Sequence, residues 1–163
     1  MSWREVLRQC EGRYLTAEER GRALAFAHAL PQRIRAGEEV EAQEDAAVEA
    51  TCAALREAYP QFGRVHPQAW DRLAHDLRLV LRADVRAMLA DDADALDNHA
   101  LHYVRSIWAA YQVTPTFARD ACQLLSEQLR RLLTAESFAA LDPFLARNRD
   151  VLGGIPEPNA APF

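Results

Sequence analysis

The sequence contains no lysine: all 19 basic side chains are arginines, against 24 aspartates and glutamates, for a net charge of −5. This acidic balance excludes a general nucleic-acid binder, because neutralising a phosphate backbone needs clustered cations. No apolar run approaches the roughly 20 residues that cross a bilayer. The first residues also lack the apolar core and the cleavage motif of a signal peptide. We therefore expect a protein with no membrane span and no nucleic-acid partner.

Cysteine is scarce, and Cys10, Cys52 and Cys122 show no metal-ligand spacing. An odd set of this kind fits reduced, mostly buried thiols, so we expect a cytoplasmic protein without a metal site. The motifs of phosphate-binding loops, zinc peptidases, di-iron proteins and serine hydrolases are missing as well. We therefore expect that the protein is not an enzyme.

What the chain does have is helical periodicity, with hardly any strand alternation. The pattern predicts an all-α domain, and Thr16 with Glu19 has the form of a capping box that starts a helix. Pro31 is expected to kink or interrupt that helix, because proline has no N–H to donate. The predicted helices cover approximately residues 3–10, 17–36, 38–59, 67–90, 96–111, 114–133 and 135–149.

One helix edge carries a candidate site. Arg72, His75 and Asp76 lie three and four residues apart and therefore share an edge beside the apolar side chains of Leu73 and Leu77. A carboxylate and two cation-capable groups beside an apolar wall suit a tetrapyrrole, which has pyrrole N–H donors and acidic propionates. The same spacing also describes a weak ion pair on the surface. The spacing alone leaves both interpretations open.

Four segments, in order, carry a resemblance to a known family. Residues 12–16, Gly-Arg-Tyr-Leu-Thr, are similar to a Gly-Arg-Tyr-Leu-Ser turn, and residues 48–60 to the helix and proline that follow it. Residues 76–97 are similar to an Arg-Asp…Leu-Arg…Ala-Gly-Asp…Leu-Asp run, and residues 107–117 to a stretch that ends in Leu-Ser-Pro-Ser-Trp. Together these segments resemble the phycobiliprotein family, the α and β subunits of phycocyanin and allophycocyanin.

The resemblance implies a globin-like helical fold with an N-terminal two-helix hairpin. We expect the hairpin at residues 1–36, the globin-like domain at 37–150 and a loosely ordered tail at 151–163. In the family, the hairpin forms the subunit dimer. An apolar hairpin with little domain beneath it must bury its face against something. We expect a homodimer, or a heterodimer with a related subunit, in which these side chains face the partner: Trp3, Val6, Leu7, Leu24, Phe26 and Leu30.

The resemblance also implies a pigment site at Arg72, Leu73, His75 and Asp76. The family attaches a bilin, a linear tetrapyrrole, through a cysteine three residues before the aspartate, and that position is Leu73 here. Leucine has no nucleophilic sulfur, so no covalent bilin is expected. Asp76 matches the acceptor for the ring nitrogens and Arg72 a basic position, whereas His75 replaces an arginine and is a weaker cation. The chain then either binds a bilin without a covalent bond or has a purely structural role.

A haem-binding globin or globin-type sensor is the alternative function. It needs a histidine that faces the pocket as an iron ligand. The candidate donors are His75, His99 and His102. His99 and His102 lie three residues apart and so share one helix face.

Overall fold

The computed structural model describes residues 6, 8, 10, 12–64, 66–96, 100–111 and 113–154, and these ranges contain helices but no strand. The prediction of an all-α protein is therefore confirmed, and the architecture is consistent with the globin-like fold that the resemblance implied. A short 3₁₀ turn, Phe62–Arg64, separates the first two helices. The α-helices are α1 (Ala17–Ala58), α2 (Ala69–Ala90), α3 (Ala93–Leu96), α4 (His102–Ala110), α5 (Pro115–Leu132) and α6 (Ala135–Leu152).

Helix α1 is continuous over 42 residues, so the predicted division into two helices near residue 37 is wrong. The start is as expected, because the Thr16 hydroxyl accepts from the backbone N–H of Glu19 and the Glu19 carboxylate caps Thr16 in return. The helix also continues through Pro31, where the carbonyl left without its donor belongs to the exposed Ala27. At Gly37, a Cβ would lie 3.3 Å from Val85 of α2. Tight packing against α2 thus holds the helix through a residue of low helix propensity.

The core forms where the second half of α1 packs against α2, α5 and α6, and α6 packs in turn on α2 and α5. A bidentate ion pair reinforces the first of these contacts, since the Arg82 guanidinium donates to both oxygens of Glu44 at 2.7 and 2.9 Å. The Glu39 carboxylate of α1 accepts from the backbone N–H and the hydroxyl of Thr134, which caps α6. The start of α6 is therefore fixed on α1.

The first half of α1 has a different environment. None of residues 12–35 is buried, and burial along the helix begins at Ala36. Val6 is 2% exposed but does not belong to the main core cluster. Trp3 and Leu7, which we expected at a dimer contact, lie outside the described residues. The boundary that we predicted between a hairpin and a globin-like domain stays a prediction, although one helix runs across it.

The remaining helices follow the predicted pattern with shifted ends. Helix α2 begins two residues after Pro67 and ends at Asp91, which adopts the left-handed conformation with φ 52°. The predicted helix over residues 96–111 is divided between α3 and α4, and residues 97–99 between them lie outside the described part. Residues 155–163, most of the expected tail, lie outside it too. Among the described helices, none combines the length and the hydropathy that a membrane span requires.

One charged group is enclosed in the core. Asp84 of α2 has no exposed surface, and the Asn148 side-chain N–H of α6 donates to its Oδ2 at 2.5 Å. Its Oδ1 has no hydrogen-bond partner. Burial raises the pKa of Asp84 well above the ordinary value for aspartate, which the bond from Asn148 only partly opposes. The α2–α6 contact thus contains a buried carboxyl group whose ionisation is disfavoured.

Candidate ligand-binding site

The four predicted site residues occupy one turn of α2 but differ in exposure. Leu73 is 2% exposed and Asp76 is 9% exposed, and both face the interior. Arg72 is half-buried at the edge of the site, whereas His75 is exposed. The structure therefore brings Arg72, Leu73 and Asp76 to one place and leaves His75 at the outer rim.

Asp76 is bonded to a residue that the sequence analysis did not assign to the site. The indole N–H of Trp108, on α4, donates to Asp76 Oδ2 at 2.9 Å. Trp108 is 2% exposed, so this bond is enclosed. Burial raises the pKa of Asp76 above its usual value, while the indole N–H and the positive charges of His75 and Arg72 oppose that rise. The carboxylate that the resemblance implied as a pigment acceptor thus already accepts an aromatic N–H from its own chain.

Arg72 also has a partner within the chain. Its guanidinium donates to the hydroxyl of Tyr111 and lies over the ring of the same residue, 5.4 Å from the centroid. This arrangement combines a charge-assisted hydrogen bond with a cation–π contact. Arg72 is therefore oriented along α2 toward the end of α4, at the mouth of the site.

Two spaces adjoin this turn of α2. Beside Leu73 and Trp108 lies a small cavity of about 20 Å³, which has room for about one water molecule. In front lies an open groove of about 420 Å³. Small-molecule sites are concave and usually have volumes of roughly 300–1,000 Å³, so only the groove has the size for an organic ligand. Its walls are Gln68, Asp71, Arg72, His75, Asp76, Tyr103, Ile107 and Tyr111.

Neither space offers a thiol. Cys52 and Cys122 are buried, Cys10 is half-buried, and none of the three lines either space. Burial raises the pKa of Cys52 and of Cys122, the latter to about 12, so both are thiols rather than thiolates at neutral pH. Thioether formation at this turn of α2 therefore has no nucleophile, as the leucine at position 73 led us to expect.

The structure describes two of the three histidines that we expected as iron donors. His75 and His102 are both exposed, and His99 lies outside the described residues. The described residues also contain no cluster of three His, Cys, Asp or Glu side chains with metal-binding geometry.

Trp108 and Tyr111 are the functional residues that the sequence analysis missed. Both lie in the segment 107–117 that carried part of the resemblance, but their distance from Asp76 along the chain gave no sign of a contact. One signal was present, because a buried tryptophan usually finds an acceptor for its N–H. Asp76 is the acceptor that it finds.

Two comparisons with known proteins bear on identity. The family model described as phycobilisome protein matches residues 8–150, which is most of the chain and includes the whole of the α2 site. The comparison with individually curated proteins gave no match. Taken with the all-helical fold and the aspartate turn of α2, the family match shows that this chain belongs to the phycobilisome protein family.

Proposed function

We propose that this chain is a phycobilisome-type subunit with a structural, dimer-forming role and without a covalent bilin. The observation that carries this proposal is the hydrogen bond between Trp108 and Asp76. The indole supplies the N–H that a pyrrole ring of a bilin would offer, and its bicyclic ring fills the space beside Leu73. The chain satisfies the buried carboxylate with its own side chain.

A tetrapyrrole that bound to Asp76 would first have to displace Trp108. Truncating a well-packed tryptophan costs about 3–5 kcal/mol, which approximates the cost of withdrawing the ring from its site. If the conformation with Trp108 withdrawn lies about 3 kcal/mol above the observed one, the apparent affinity of a ligand that needs it falls by about a hundredfold. The groove remains for a weakly held ligand, with Arg72 and His75 to meet an acidic group, but this geometry favours the structural role.

The dimer proposal rests on an apolar strip along the first half of α1. Ala23, Phe26, Leu30, Ile34 and Gly37 recur at intervals of three and four residues and so share one face. Leu24, which we grouped with Phe26 and Leu30, is 61% exposed and lies outside this face of the helix.

This strip runs into a groove of about 680 Å³ between α1 and α2. The groove has an apolar floor that includes Val40, Leu79 and Leu89, and a charged rim that includes Glu41 and Arg86. Most helix stability comes from packing, and none of residues 12–35 is buried. We infer that a second copy or a related subunit covers this strip and the groove beside it.

The haem-binding alternative has less support, because His75 and His102 both face solvent. Among the described residues we find no catalytic group that would support an enzymatic role, and we propose none. A cytoplasmic location remains a prediction from the cysteine usage.

Absorption and mass measurements test the proposal. The purified chain is mixed with biliverdin and, separately, with haem, and its visible spectrum and intact mass are recorded. We expect spectra of the free pigments, an unchanged protein mass and, by sedimentation equilibrium, a dimer. A red-shifted bilin band or a sharpened Soret band would refute the pigment-free role. A monomer at about micromolar concentration, a range in which specific interfaces assemble, would refute the dimer.

An Asp76→Asn variant locates any band that does appear. It keeps the side-chain shape but has no negative charge with which to attract a pyrrole N–H. A band that disappears in this variant belongs to the α2 site, whereas a band that persists belongs elsewhere on the chain.

A further inference from the structure

A polar pocket that shares no residue with the α2 site lies between the antiparallel helices α5 and α6. Its volume is about 190 Å³, which at about 30 Å³ per water molecule is room for roughly six waters. Polar side chains of both helices form its walls, and a buried thiol belongs to its floor. These residues are Cys122, Gln123, Ser126, Arg130, Asp142 and Arg149.

Two guanidinium groups border the pocket, and neither is closely paired with an acid there. Arg149 donates to the neutral side-chain oxygen of Gln123 at 3.0 Å. Arg130 lies 3.9 Å from Asp142, and both groups are about half or more exposed, so this ion pair is weak. Arg130 also lies over the Phe138 ring, 4.5 Å from its centroid, which orients its planar head.

The floor of the pocket adds no negative charge. Burial raises the pKa of Cys122 to about 12, so its sulfur is a neutral thiol at pH 7. Two arginines and one aspartate then give the pocket a net positive charge. Guanidinium groups bind phosphate and carboxylate through paired N–H donors. Each guanidinium has five N–H donors, so the contact of Arg149 with Gln123 leaves donors available for an anion.

We infer that this pocket binds a small oxyanion of the phosphate or carboxylate type, with Arg130 and Arg149 as its ligands and the Ser126 hydroxyl as a neighbouring donor. The site is separate from the proposed structural role, because it uses neither the α2 turn nor the strip on α1. A free anion and an acidic group on a partner molecule share this chemistry.

Titration calorimetry of the full chain with sodium phosphate, and separately with sodium succinate, tests the inference at constant ionic strength. We expect saturable binding of at least one anion, with an affinity about tenfold or more lower in Arg130→Gln and in Arg149→Gln, because each variant lacks charge-assisted hydrogen bonds. Arg64→Gln removes the same charge from an exposed position outside the pocket. It should bind as the wild type does.

The two anions show whether the pocket prefers a phosphoryl or a carboxylate group. Binding of phosphate alone assigns a phosphoryl group, and binding of succinate assigns a carboxylate. The absence of saturable binding by either anion, or equal affinity in all three variants, would overturn the inference. Since the arginines are exposed, the variants should retain the wild-type helical circular dichroism, and surface changes of this kind alter stability little.

Alkylation of cysteine provides a second, local measurement. An anion in the pocket should slow the modification of Cys122 by iodoacetamide, whereas Cys52, buried among α1 residues and outside the pocket, serves as the internal reference. Peptide mass mapping separates the two rates. An unchanged rate of Cys122 modification at saturating anion would contradict a bound anion above this thiol.

Discussion

Replacing Trp108 by phenylalanine removes the one N–H that the structure places on Asp76 while keeping an aromatic ring in the site. Trp108 is 2% exposed and Asp76 9% exposed, and the bond between them is 2.9 Å long. A hydrogen bond to a charged group contributes about 1.5–3 kcal/mol. The smaller ring leaves a gap worth about 1 kcal/mol. We therefore expect Trp108→Phe to lower the free energy of unfolding by about 2.5–4 kcal/mol at neutral pH.

The loss of unfolding free energy in Trp108→Phe should depend on pH, and the titration of Asp76 determines whether it grows or shrinks as the pH rises. Burial raises the pKa of this carboxyl group in the folded protein and the indole N–H lowers it, so removing the indole raises it further. A group whose folded pKa lies above its unfolded value stabilises the fold fully at low pH and loses that stabilisation as the pH rises. The loss of unfolding free energy in Trp108→Phe should therefore be smaller at pH 4 than at pH 8, approaching the packing value of about 1 kcal/mol as Asp76 becomes protonated.

Urea unfolding followed by far-ultraviolet circular dichroism measures both values without relying on tryptophan fluorescence. Trp70→Phe is the matched control, because Trp70 contacts the ring of Phe62 and the guanidinium of Arg56 rather than a carboxylate. Its effect should not change with pH. If the deficit of Trp108→Phe were the same at pH 4 and pH 8, the bond to Asp76 would not hold a charged carboxylate in place, and the reasoning would fail.

Three further predictions concern a buried acid, the missing cysteine and the dimer. Asp84→Asn should become more stable relative to the wild type as the pH rises above 4, by up to about 1.4 kcal/mol per pH unit, because the raised pKa of Asp84 makes its ionisation costly in the folded protein. Urea titrations that show the same pH dependence in both proteins would contradict this. Leu73→Cys should cost about 1–3 kcal/mol and should take up no bilin even with a lyase present, so a mass increase equal to a bilin would show an accessible site. Phe26→Arg should weaken the dimer in sedimentation, whereas Ala25→Arg, on another face, should not; an equal response would remove the apolar strip from the interface.

The sequence predicted the helical class and most helix ends because these depend on local signals. Thr16 accepts from the backbone three residues later, as the capping box predicted. Thr114 and Thr134 cap their helices in the same way. The helix end that we predicted near Gly37 is wrong. The low helix propensity of glycine is outweighed there by packing against Val85, a residue far away in the sequence. A single sequence carries no direct record of such a contact.

The candidate site was predicted on one side only. The edge of α2 follows from helical spacing, and it correctly brought Arg72 and Asp76 together. The residues that face this edge lie on or directly after α4. Helical periodicity does not determine the path of the chain between α2 and α4, so it could not place them. The contacts of Trp108 with Asp76 and of Tyr111 with Arg72 therefore emerged only from the structure. They show that the polar groups of this turn are already hydrogen-bonded within the chain.

The state of the Trp108 indole N–H is the most direct test of the central claim, that this side chain occupies the position of a pigment ring. The chain has three tryptophans, so its ¹⁵N–¹H spectrum should contain three indole signals. The account predicts that the Trp108 signal, assigned by its loss in Trp108→Phe, exchanges slowly with solvent and does not shift when biliverdin is added in excess. Rapid exchange, or a shift of this signal on adding biliverdin, would contradict it.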